Sequence, residues 1–158
     1  MKNDKKNLPL RNGVGIVLLN KYNKVFVAKR IDNPKNFWQM PQGGVDRGEN
    51  YIDAAYRELK EETSIENVKL IKELDGLITY NLPSYLLGII WKGKFKGQKQ
   101  KWFLMKFTGE ENEINIKTKK PEFLDWKWIE IDKITEFVVD FKLHVYTELK
   151  KKIKKIIN

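Results

Sequence analysis

Arg57-Glu58-Leu59-Lys60-Glu61-Glu62 carries the residues best suited to chemistry in this 158-residue chain. At 3.6 residues per turn Glu58, Glu61 and Glu62 fall at i, i+3 and i+4, so a helix crowds three carboxylates onto one face. Like charges at that spacing destabilise a helix by about a few tenths of a kcal/mol per pair. A hard divalent cation such as Mg²⁺, which prefers carboxylate oxygen, offsets the repulsion and points to metal-assisted chemistry on phosphate. Clustered glutamates more often form a solvated face, but the segment as a whole weighs against that here. Ile52, Ala55, Tyr56, Leu59 and Thr63 recur at helical spacing as a separate buried stripe, which leaves the acidic face to look elsewhere. Pro41-Gln42-Gly43-Gly44 precedes the stretch, with glycines that permit a tight turn. Glu49 stands where the helix starts, its charge meeting the positive dipole end. Arg57 lies beside the acids, where it could order them or meet a substrate phosphate.

Gly43, five residues, Glu49, seven residues, then Arg57-Glu58-Leu59, Lys60, Glu61-Glu62, Thr63, Ser64 and Ile65 resembles the signature of the Nudix hydrolases. The resemblance implies cleavage of nucleoside diphosphates linked to another moiety, with Mg²⁺ or Mn²⁺ as cofactor. One position departs, because the family's glycine near the helix end is Ser64 here. A left-handed turn is often needed there, and serine costs up to about 1 kcal/mol in it.

Three further stretches narrow the resemblance to bacterial RNA pyrophosphohydrolases and the related dinucleoside polyphosphate hydrolases. They are Phe37-Trp38-Gln39-Met40-Pro41-Gln42-Gly43-Gly44, Gly97-Gln98-Lys99-Gln100-Lys101-Trp102-Phe103, and Pro121-Glu122-Phe123 followed by Trp126 and Trp128. The similarity runs from about Leu8 to Leu149. It implies removal of pyrophosphate or phosphate from the 5′ end of triphosphorylated or diphosphorylated RNA, which opens that RNA to decay. It also implies metal ligands at Glu58, Glu61, Glu62 and Glu122, and in-line attack by a water that the metal activates. Glu58, Glu62 and Glu122 are all candidates to take the final proton, and Arg57 belongs to the same catalytic group. The substrate-contacting set implied is Arg11, Arg30, Gln42, Gly43, Gly44 and Phe141, the last stacking on a base. Lys99 and Lys101 share a face if their run is a strand, and phosphate contact and a solvated strand edge both fit them. Phe141 equally fits the apolar stripe of a helix, and Trp38, Trp126 and Trp128 read as core.

The elements that position these residues follow from pattern. Val14–Leu19 and Val25–Lys29 read as strands joined by a hairpin at Asn20-Lys21-Tyr22-Asn23. Val68–Leu74, Leu77–Tyr80, Lys101–Phe107 and Leu124–Ile129 read as further strands. From about Asp132 the spacing of Ile134, Phe137, Val138, Phe141, Val145 and Leu149 predicts a C-terminal helix. Strands with helices between and after them predict an α/β/α sandwich with a mixed sheet, the arrangement the resemblance also implies. A single domain is expected over residues 1–158, its core about 8–149 and residues 150–158 a basic helix end.

Composition limits the alternatives. The chain has no cysteine and one histidine, His144, so thiolate and multi-His metal centres are excluded. No apolar run is long enough to span a bilayer, and Met1–Lys6 lacks a secretory apolar segment. A monomeric cytoplasmic enzyme without a membrane segment is the corresponding expectation, its protein partners unspecified. The 31 basic residues against 21 acidic ones give a net charge of +10 around an acidic centre, which suits a polyanionic substrate and equally fits a lysine-rich composition that maintains solubility. The rival readings are a hydrolase of diadenosine polyphosphates or nucleotides, and a non-catalytic RNA-binding module with structural glutamates. The lysines from Lys150 to Lys155 complement the negative end of a helix dipole.

Overall fold

The computed structural model describes residues 7–33 and 35–157; the polar start Met1–Lys6 and the last residue of the basic end, Asn158, lie outside it. In chain order the elements are β1 (Leu10–Leu19), β2 (Val25–Arg30), β3 (Gln42–Gly44), α1 (Tyr51–Thr63), β4 (Val68–Glu73), β5 (Ile78–Asn81), β6 (Gly97–Phe107), β7 (Phe123–Ile129) and α2 (Leu143–Ile157).

β1 is apolar on both sides, as a strand covered on both faces must be. Val14, Ile16 and Leu18 face one core, whereas Val17 and Leu19 face another. β6 runs parallel to β1, from Leu10 opposite Gly97 to Leu19 opposite Lys106, and divides its side chains in the same way. Phe103 and Met105 join the first core, Trp102 and Leu104 the second. The sheet order is β4-β6-β1-β2-β7, with β3 added on β1 and β5 on β6. All pairings except β1–β6 are antiparallel. α1 covers the first face through Ala54, Ala55 and Leu59, and α2 covers the other through Val145, Tyr146, Leu149 and Ile153. The result is the expected α/β/α sandwich.

The β1–β2 turn forms where its asparagines allow. Asn20 Oδ1 accepts the N–H groups of Tyr22 and Lys24, and Asn23 takes the left-handed conformation. Asn50 caps α1, its side chain accepting the Asp53 N–H at 2.9 Å. Cap formation therefore belongs to Asn50, and Glu49 is released for another task. At the far end Ser64 adopts φ 67°, and its N–H returns to the Lys60 carbonyl. The serine takes the turn a glycine would take, and its hydroxyl donates to the Asn115 carbonyl at 2.8 Å.

Two expectations need correction. Tyr56 is 39% exposed and Ile52 half-buried, while Ala54 is fully buried and belongs to the core stripe instead. Small residues at Ala54 and Ala55 let the helix approach the sheet, which displaces the larger Tyr56 to the rim. The C-terminal helix starts at Leu143, not Asp132: before it lie two short 3₁₀ turns, Ile131–Lys133 and Asp140–Lys142. Ile134, Val138, Val145 and Leu149 still reach one core. Apolar anchors in irregular backbone happened to mimic a 3.6-residue repeat.

Two outcomes follow for stability. Ser64→Gly is expected to change unfolding free energy by less than about 0.5 kcal/mol, since relief of the left-handed backbone offsets the lost hydroxyl bond, whereas Ser64→Val should cost about 2 kcal/mol. Tyr146 OH accepts the buried Met40 N–H at 2.8 Å. Tyr146→Phe strands that donor and should cost about 1–3 kcal/mol. Urea unfolding of the variants measures both.

Candidate active site

β3 lays its backbone between β1 and α1, with Gly43 opposite Val14 and Gly44 opposite Gly13. A Cβ at Gly43 would overlap the Glu58 carboxyl group, and one at Gly44 would overlap the Arg11 guanidinium. Close approach rather than unusual φ is what requires these glycines.

Arg57 then ties the strand to the helix. Its Nη2 donates to the Gly44 carbonyl at 2.8 Å and to Glu49 Oε1 at 2.9 Å, and its Nε donates to Glu49 Oε2 at 2.8 Å. Nη1 donates to Glu58 Oε1 at 2.9 Å and Glu61 Oε2 at 3.2 Å. The guanidinium's donors are committed to the protein, so Arg57 orders the acids rather than awaiting a phosphate. Bonding to Arg57 and to the Asp46 N–H brings the Glu49 carboxyl down to about 2. Bonding to Glu49 correspondingly holds the Arg57 proton tighter.

The acids differ in burial. Glu62 is 4% exposed, and its Oε2 is buried without a hydrogen-bond partner. Burial raises its carboxyl well above the ordinary value, and the charges of Glu122 and Glu58 raise it further. Glu58 is raised too, by burial first, against the lowering influence of Arg57. Glu61 has a side chain 60% exposed, and Glu122 is exposed as well. Glu122 is delivered by the start of β7: its carbonyl accepts the Ile31 N–H, and Phe123 lies opposite Arg30 at a register shift. Arg57, Glu58, Glu61, Glu62 and Glu122 thus line one cavity of about 740 Å³, shared with Lys60, Ser64, Thr118, Lys119 and Lys120.

Among the described residues no three His, Cys, Asp or Glu side chains are gathered closely enough to hold a metal. Arg57 draws Glu58 and Glu61 to itself, whereas Glu62 lies close to Glu122. The donor chemistry nevertheless fits a hard divalent cation. The donors are all carboxylate oxygens, one of them buried and unpartnered, with like charges pressing on it.

The remaining sequence-derived residues divide. Arg30 is bound to Asp32 at 2.7 and 2.8 Å, and the carboxylates of Glu122 and Glu62 act on it. Arg11 lies over the Trp91 ring at 5.1 Å. Phe141 meets Tyr80 with ring centroids 5.9 Å apart and is half-buried. Gln42 accepts a hydrogen bond from Gln100 at 3.0 Å. Gln100 also donates to Gln98 and accepts from the Trp102 indole, and the Tyr80 hydroxyl donates to Gln98. Burial pushes the Tyr80 phenol up to about 12. Lys99 and Lys101 share a face of β6, but Lys101 turns to the Gly76 carbonyl and Glu73, and neither lines the cavity. His144 is exposed with its ring against the Thr79 carbonyl, and Trp126 and Trp128 pack on Phe26.

Sequence reading missed Lys142. It is 7% exposed, its Nζ stands 5.3 Å from the Tyr80 ring and 5.8 Å from Phe141, and burial, then Arg30, brings it down to about 7. A lysine directly after Phe141 was the available signal, but it was masked by the supposed helix. Lys119 and Lys120 were missed because adjacent surface lysines carry no pattern.

A family model described as the NUDIX domain matches residues 9–149. A protein of Pelagibacter ubique (strain HTCC1062) named RNA pyrophosphohydrolase is 72% identical over 158 residues, covering all of both chains. One of Rhodospirillum rubrum, with the same name, is 47% identical over 90% of this chain and 86% of its own. The E. coli dihydroneopterin triphosphate pyrophosphohydrolase superposes with a TM-score of 0.71 at 22% identity, covering 91% of this chain and 99% of that one. A C. elegans Ap4A hydrolase gives 0.63 at 20% identity over 90% and 98%, and these two structures share the fold. With the glycine strand, the Arg57-centred acids and the sandwich that holds them, the chain belongs to the Nudix family of hydrolases.

Proposed function

We propose that this enzyme removes pyrophosphate, or phosphate, from the 5′ end of triphosphorylated or diphosphorylated RNA, in a reaction that depends on a divalent metal ion. The observation that carries the metal-dependent part is Glu62, a buried carboxylate with an unpartnered oxygen and two carboxylates near it. The RNA part is supported by likeness along the whole chain to a protein named RNA pyrophosphohydrolase and by the net charge of +10.

Glu58, Glu62 and Glu122, with Glu61 on the cavity rim, are the residues that would hold Mg²⁺ or Mn²⁺. When bound, such an ion neutralises phosphate oxygens and makes the attacking water more acidic. The chain's own residues do the rest. Arg57 fixes Glu58 against Gly43 and limits its rotation. Glu62, held by burial with one oxygen unpartnered, is the acid we assign to take a proton from the water. Arg30 and Arg11 offer positive charge to the phosphates, and Phe141 offers a ring face to the first bases. The same geometry accommodates a dinucleoside polyphosphate, which serves as the comparison substrate.

Glu62→Gln is expected to lower release of phosphate from 5′-triphosphate RNA by roughly a hundredfold or more while the fold persists. Turnover at the wild-type rate removes Glu62 from the reaction. Chelation should abolish release from triphosphate RNA, diphosphate RNA and diadenosine tetraphosphate alike, and Mg²⁺ should restore it, fastest on RNA. Faster turnover of diadenosine tetraphosphate would reassign the substrate.

A pH dependence accompanies this. The Glu62 carboxyl lies higher in the folded chain than its ordinary 4.5. Protonation therefore stabilises the fold fully below the unfolded value, and that stability is lost as pH rises through the folded one. In chelator, wild type should lose more thermal stability between pH 5 and 7 than Glu62→Gln, and Mg²⁺ should close the gap. Parallel melting profiles in chelator would show that Glu62 is not the strained acid.

A further inference from the structure

The carboxylate cavity has two unlike ends. Beyond Glu62 and Glu122 lie Arg30, Lys142 and the Phe141 ring. The lining also includes Thr118, Lys119 and Lys120, immediately before Pro121-Glu122. Of the other cations lining it, Arg57 is committed to Glu49, Glu58 and Glu61, and Lys60 pairs with Glu66 at 2.9 Å. Lys119 and Lys120 form no ion pair or hydrogen bond among the described residues, although four glutamates line the same space. Thr118 Oγ1 is buried and has no partner, an unusual state for a hydroxyl. The Ser64 hydroxyl nearby is already spent on Asn115.

Two exposed, unpaired lysines directly following a threonine with an orphaned hydroxyl, all lining one cavity, fit an anionic ligand. We propose that Thr118, Lys119 and Lys120 form the seat of the substrate's terminal phosphates and hold the pyrophosphate as it is released. This rests on the function proposed above and adds the direction in which the substrate lies. Bases stack at the Phe141 end, the reacting bond sits over Glu58, Glu62 and Glu122, and the terminal phosphates extend to Lys119 and Lys120. Hydrolysis opens the α–β phosphoanhydride. The water oxygen bonds to one phosphorus, the bridging oxygen departs with the other, and the water's proton passes to a carboxylate and on to solvent. Pyrophosphate gains negative charge in that step, so cations on its side favour its departure.

The test uses the full chain. Calorimetric titration with inorganic pyrophosphate in Mg²⁺ should give roughly tenfold weaker binding for K119A/K120A and roughly threefold weaker binding for Thr118→Val. K151A/K155A removes the same charge from the end of α2 and should bind within about twofold of wild type. In turnover, K119A/K120A should lose about tenfold in kcat/KM on 5′-triphosphate RNA and clearly less on 5′-diphosphate RNA, which lacks the outermost phosphate. Unchanged pyrophosphate binding, equal weakening in both double variants, or equal losses on the two RNAs would overturn the proposal. A wild type that seats pyrophosphate at these residues but releases nothing from RNA would instead overturn the substrate reading and leave the seat standing.

Discussion

The structure depends on one guanidinium holding like charges in place. Arg57 reaches the Gly44 carbonyl of β3, the Glu49 loop, and Glu58 and Glu61 of its own helix. Remove that group and the Glu58–Glu61 repulsion goes unrelieved while β3 loses the hydrogen bond from α1 to its Gly44 carbonyl. Because arginine presents planar donors in fixed directions, it sets angles as well as charge, which a lysine could not do. The placement of Glu49, Glu58 and Glu61 follows from Arg57.

Around that point the fold separates two requirements. Hydrogen bonds from Arg57 secure the Glu58 side, whereas burial and the neighbouring carboxylates keep Glu62 in an unfavourable electrostatic state. Strain of this kind is typical of sites whose ligand arrives from outside. The polar chain Gln42–Gln100–Gln98–Tyr80 joins β3 to the Phe141 and Lys142 region through buried hydrogen bonds. It makes the Phe141 region and the acidic part of the cleft one connected framework.

How much of this was legible in the residues depends on how local the cause is. The i, i+3, i+4 glutamates, the paired glycines and the β-rich runs announce themselves within a few positions, and so did the sandwich. Glu122 could be joined to them only through resemblance, since its proximity arises from the β2–β7 pairing. Local spacing failed where packing overrode it. Tyr56 lost its buried place to Ala54, and the Ile134–Phe141 anchors sit on irregular backbone. Lys142 and the orphaned Thr118 hydroxyl owe their character entirely to surroundings assembled from distant segments, so no reading of neighbours reveals them.

The parallel pairing of β1 with β6 has a cost during synthesis. β1 leaves the ribosome first, yet the strand that covers one of its long edges emerges only after residue 97. At about 5–20 residues per second, an apolar ribbon with two greasy faces waits several seconds for its neighbour. Contacts so remote in the chain also slow collapse to the native topology. During that interval the apolar β1 lacks the neighbour that covers its edge in the finished sheet.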